Sequence, residues 1–126
     1  MQFITSILLA AGLVSAVPLQ ARQENSGQLT YYAPGLGACG VYSSESDAVV
    51  AISTALFDPQ TPNGNPNNNA LCGRQIQINR DGRSVVVAVE DRCVGCAEND
   101  LDVPVAIFQQ LANVDDGRVD MTWHWL

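Results

Sequence analysis

Few residues in this chain carry types and spacings suited to chemistry: four cysteines, one histidine, two aspartates beside turns, and two tryptophans near the end. Cys93 and Cys96 form a Cys-x-x-Cys pair, with Cys39 and Cys72 far upstream. A redox dithiol would need a helix N-terminus after its first cysteine to lower the thiol pKa, and here Gly95, Ala97 and acidic residues follow instead. A four-cysteine zinc site normally shows two close pairs, and this chain has one. Disulfides are therefore the expected use, and four cysteines allow three pairings that spacing does not separate. Asp102 stands two residues before Pro104 and fits two roles, a cap on the amides of a following helix or a site residue, and the sequence leaves both open. Asp91 lies beside Arg92, where its structural role would be an ion pair with Arg92 or Arg74. His124 is the only histidine, lacks a recognisable nucleophile, and is expected at the surface. Trp123 and Trp125 share a face by alternation and are expected to pack in a core, or to form a stacking platform if exposed.

The elements that position these residues read mostly as strands. Gln28–Tyr32 carries β-formers before Pro34, Gly35, Gly37 and Gly40 break the run around Cys39. Ala48–Ile52 reads as a strand and Ser53–Phe57 as a helical turn. Asp58–Ala70 is dense in Asn and Pro and reads as an exposed loop. Arg74–Asn79 alternates polar and apolar, Asp81-Gly82 is a tight-turn pair, and Ser84–Glu90 is a β-branched run expected to be buried on both sides. Pro104 followed by Val105, Phe108, Leu111 and Ala112 predicts one short helix, and Arg118–Leu126 alternates as a final strand. Several short strands with crossing loops suit a closed barrel.

Met1–Ala16 is an uncharged apolar run ending in small residues, as in a secretory signal peptide, with cleavage after Ala16 or Ala21. Its apolar core is too short to span a bilayer of about 30 Å. Residues 17–27 read as a flexible arm and residues 28–126 as one domain. A domain of about 100 residues after a signal is where disulfides form and help. The formal charge is −7, lysine is absent, and the six arginines are scattered among thirteen carboxylates. That excludes a phosphate-backbone interface and Schiff-base chemistry by lysine. Neither a phosphate-binding glycine motif nor a metal cluster occurs, so no cofactor and no metal are expected.

Four pieces in order resemble the first domain of expansins and the RlpA-like family, including small fungal secreted barrels labelled riboflavin-aldehyde-forming enzyme. They are GQLTYYAPGLGACG (27–40), AISTALF (51–57) with Cys72-Gly73, VEDRCVGC (89–96), and DLDVPVAIFQQLA (100–112) with the terminal GRVDMTW. The resemblance implies a mainly β fold, a six-stranded double-psi β-barrel with one or two short helices. It also implies disulfides Cys39–Cys72 and, with them, Cys93–Cys96. In register with the family, Thr30, Tyr32, Asp91 and Asp102 would line a shallow polar groove able to bind sugar hydroxyls.

Glycoside hydrolysis by inversion needs a general acid and a second carboxylate about 6.5–9.5 Å away. Related family-45 endoglucanases supply that base just after the first strand, where this chain has Ala33 and Pro34. Asp102 is thus the one candidate acid, no residue is assigned as catalytic, and an enzyme is not expected. The resemblance implies a secreted, monomeric, non-hydrolytic barrel binding cell-wall polysaccharide. The alternatives are a papain-type cysteine-protease inhibitor, contacting its target through the 35–40 or 63–69 loops, and an oxidoreductase forming riboflavin aldehyde. Neither a nucleic acid nor a membrane partner is expected.

Overall fold

The computed structural model describes residues 23–126. The expected signal peptide and residues 17–22 of the arm lie outside the described residues. Six strands close into a barrel: β1 (Asn25–Tyr32), β2 (Val49–Ser53), β3 (Gln75–Arg80), β4 (Arg83–Cys93), β5 (Leu101–Pro104) and β6 (Val119–Trp125). Around the barrel the order is β1-β5-β2-β4-β3-β6. β1 pairs with β5 and β2 with β4 in parallel, and the other neighbours are antiparallel. The expected closed, six-stranded double-psi barrel is therefore observed. β1 begins at Asn25, three residues before the domain start read from sequence, because Asn25–Gly27 continue the ladder onto Trp123–Met121 of β6.

Alternation along the strands fills the barrel. Leu29, Val50, Ile52, Ile76, Ile78, Val87, Val89, Leu101, Val103 and Trp123 are almost wholly buried and form one core. The β3–β4 hairpin turns through Asp81 and Gly82, at φ 50° and 76°. Two consecutive left-handed residues are what a two-residue turn matching strand twist requires. β4 is buried on one side only: Val87 and Val89 face the core, while Val86 is 40% exposed. A barrel wall is one sheet thick, so alternate side chains of β4 point away from the core.

α1 (Thr54–Phe57) is the expected helical turn, capped by the Ser53 hydroxyl on the Leu56 amide. The following loop is exposed but ordered into 3-10 turns at Asp58–Gln60, Pro62–Gly64 and Pro66–Asn68. α2 (Val105–Leu111) buries Ile107, Phe108 and Leu111. Its N-cap is Pro104, and no side chain caps it. The capping role open to Asp102 is thus not the one it takes. Both expected disulfides are present, Cys39–Cys72 and Cys93–Cys96.

Candidate functional site

The parallel pairing of β1 with β5 places Thr30 directly opposite Asp102. Because Leu29 points inward, Thr30 and Tyr32 share the outer side of β1. The Thr30 hydroxyl donates to Asp102 Oδ1 at 3.0 Å. On β4, beyond β2 from Asp102, Asp91 Oδ2 accepts from the Tyr32 hydroxyl at 3.3 Å. The four predicted residues thus line one concavity of about 420 Å³, with the Cys93–Cys96 loop on its lip. Asp100 and Arg118 line it too, and sequence reading did not select them. Asp100 is a structural member, since its two oxygens accept from the amides of Gln28 and Ala97.

Burial pushes the Asp102 carboxyl above its ordinary value of 3.8, and the negative charge of Asp91 adds to this. The Thr30 hydrogen bond and the Arg118 charge pull the other way. Tyr32 is pushed well above 10, chiefly by burial and then by Asp91, so its hydroxyl stays a donor at any physiological pH. The groove therefore holds a hydroxyl pair on two carboxylates, suited to exchanging hydrogen bonds with a neutral polyol. The position after β1 carries Ala33 and Pro34, without a carboxylate.

Asp91 does not form the ion pair considered for it. Its Oδ1 accepts from the amides of Ala38 (2.9 Å) and Arg92 (2.8 Å). Arg92 instead forks onto Asp58 with bonds of 2.9 and 2.7 Å, and Arg74 lies over Trp125 at 4.5 Å from its centre. Asp91 is thereby the tie between the groove and the glycine-rich loop after β1. Glu90 reinforces that tie, its carbonyl accepting from Cys39 N at 3.1 Å. A Cβ on Gly37 would lie 2.3 Å from the same carbonyl oxygen, so only glycine permits this approach.

The loop itself is a small hairpin. Leu36 bridges Tyr42, Gly37 N donates to Val41 O at 2.9 Å and Gly40 N to Gly37 O at 2.9 Å. The Cys39–Cys72 disulfide fastens it to the Asn-rich loop. Its apolar residues face outward, with Tyr42 78% and Leu36 59% exposed. Apolar residues flanking a cysteine inside a glycine-rich loop were the signal available for this surface.

One expectation for β6 changes, and the core packing expected of its tryptophans holds. His124 is buried, not at the surface, and Glu24, just before β1, lies against its Nδ1. Trp123 is core, its Nε1 donating to Asn99 O at 2.9 Å, whereas Trp125 is half-buried beneath Arg74 and edge-on to Trp123. Arg74 occupies the ring face that a stacking platform would need. A second concavity, about 880 Å³, lies between the β3–β4 turn and strands β1 and β6, apart from Thr30, Tyr32, Asp91 and Asp102. It is broad and mixes Arg80 and Arg83 with Asp81 and Asp120, so it has no single chemical character.

Residues 25–123 match the protein family described as lytic transglycolase. A papain inhibitor from Streptomyces mobaraensis is 39% identical over 127 aligned residues, covering 97% of this chain and 85% of that one. The solved structure of a Streptomyces papain inhibitor has a TM-score of 0.74 and 38% identity, covering 82% of this chain and 94% of that chain. A mutant Clavibacter michiganensis expansin solved in complex with cellohexaose has a TM-score of 0.67 at 22% identity, covering 82% of this chain and 50% of that chain, a likeness of fold. With nearly every described residue inside the match, the chain belongs to the lytic transglycolase family of double-psi β-barrels.

Proposed function

We propose that this protein is a secreted, monomeric inhibitor of papain-type cysteine proteases that acts by binding, without a cofactor. The observation that carries this reading is a likeness to a papain inhibitor that extends at 39% identity over almost the whole chain. The architecture supports it. A closed barrel has no edge to deform, two disulfides staple its loops, and the hairpin after β1 is held by Asp91, Glu90 and Cys72 before any partner arrives. Preorganisation of this kind reduces the ordering cost of association, which is what a tight inhibitor needs. Hydrolysis of a chromogenic peptide by papain is expected to stop at micromolar protein. Full protease activity at that concentration would overturn the reading.

A second reading, binding of a neutral cell-wall polysaccharide without hydrolysis, is favoured by the Thr30–Asp102 and Tyr32–Asp91 pairs in one groove. Retention on insoluble cellulose, chitin or β-glucan that is lost in Asp102→Ala supports it. Equal washing-through of the wild type and a control protein sinks it. The oxidoreductase alternative draws no support from the groove, and among the described residues both cysteine pairs are closed as disulfides.

A further inference from the structure

The charged residues of this chain are unevenly placed. Residues 33–44 and 59–73 contain no Asp, Glu or Arg, although the whole sequence holds thirteen acidic residues and six arginines. These two segments are separated in sequence and joined in space. The Cys39–Cys72 disulfide links them, and the Asn67 side chain sits against Gly40, where a Cβ would lie 2.9 Å from its Oδ1. Together they form one surface with no charged side chain of its own, bordered by the Asp58–Arg92 pair, on a molecule of net charge −7.

We infer, on the inhibitor reading above, that this face is the surface that meets the protease, with Tyr42 as its central anchor and the Asn-rich loop as its rim. The composition is that of a protein-binding patch: charge-depleted, with an exposed aromatic and aliphatic centre and a polar uncharged border. The centre is Leu36, Val41 and Tyr42, all exposed and presented by the hairpin. The border is Asn63, Asn67 and Asn68 on short 3-10 turns, with Asn65 at the junction between them.

Both parts are held before binding. Asn69 is buried and donates to Phe57 O at 2.7 Å and Thr61 Oγ1 at 2.8 Å, while the Arg92–Asp58 fork fixes the start of the loop. A rigid tip with a large exposed tyrosine suits insertion into a protease cleft, because aromatic anchors buried at the centre of an interface carry much of its binding energy. The groove of Thr30 and Asp102 lies outside this contact.

The test is the inhibition constant of the full chain against papain for the wild type, Tyr42→Ala, Tyr42→Asp, Asn67→Asp and Arg83→Gln, the last at the exposed β3–β4 turn. Tyr42 makes no side-chain hydrogen bond among the described residues, so its variants are expected to melt within a few degrees of the wild type, which separates binding from folding. Tyr42→Ala is expected to raise the constant at least about tenfold, and Tyr42→Asp at least about a hundredfold. Arg83→Gln is expected to stay within about twofold. If both Tyr42 variants and Asn67→Asp inhibit as the wild type does, the assignment of this face is overturned while the inhibitor reading stands. If the folded wild type does not inhibit at all, the inhibitor reading falls and the assignment with it.

Discussion

Replacing Cys39 and Cys72 together with serine opens a cross-link between residues 33 apart in sequence. In the chain-entropy treatment, losing a loop of that length frees the unfolded state by about 3.7 kcal/mol at 25 °C. The same treatment gives only about 1.6 kcal/mol for Cys93–Cys96, whose partners are three residues apart. For a domain of this size, 1 kcal/mol moves the midpoint by roughly 4–8 °C, so the long-range pair is worth about 15–30 °C. Far-UV circular dichroism melts of the two double-serine variants against the wild type measure both. The Cys39/Cys72 variant is also expected to lose papain inhibition below its own midpoint, because the hairpin and the Asn-rich loop are no longer fastened together. Equal midpoints for the two variants, or a Cys39/Cys72 loss below about 1 kcal/mol, would refute the reasoning that this bridge organises the fold.

Asp102→Asn is expected to stabilise the fold at neutral pH. Burial raises the folded-state pKa above 3.8, so the unfolded chain binds fewer protons than the folded one above that pH, and stability falls as pH rises through the window. The asparagine keeps an acceptor for Thr30, and its advantage in melting temperature should vanish once both pKa values lie above the pH. Asp91→Ala strands the amides of Ala38 and Arg92 and is expected to cost about 2 kcal/mol, with faster hydrogen exchange at Ala38 than at core amides such as Val87. Gly37→Ala drives a methyl into the Glu90 carbonyl and is expected to displace the hairpin, read as a lower midpoint and weaker papain inhibition.

Much of the fold was legible in local pattern. Asp81-Gly82 between alternating runs specified the β3–β4 hairpin, and the ordered motifs around Gly27–Gly40 and Val89–Cys96 carried the disulfide pairing through their family resemblance. What local pattern misses is what covers each residue. Alternation puts His124 on the outer side of β6, yet it is buried there, with Glu24 from far upstream in sequence against its Nδ1. The Ser84–Glu90 run looks continuously apolar, yet Val86 stays exposed because alternation points it away from the barrel core that Val87 and Val89 fill. The choice between cap and groove for Asp102 depends on the parallel register with Thr30, a contact 72 residues away in sequence. Tyr42 was passed over for a similar reason, since only the bridge to Leu36 and the disulfide turn a glycine-rich loop into a presented tip.

The most direct measurement of the central claim is a tight-binding titration of active-site-counted papain with the intact chain, beside the same chain reduced and alkylated. Inhibition by binding of a preorganised barrel predicts that activity falls linearly to an equivalence point of one chain per protease, and that the reduced, alkylated chain inhibits far less. Papain that stays fully active at a tenfold excess of intact chain, or that is inhibited equally by the unfolded one, would contradict it.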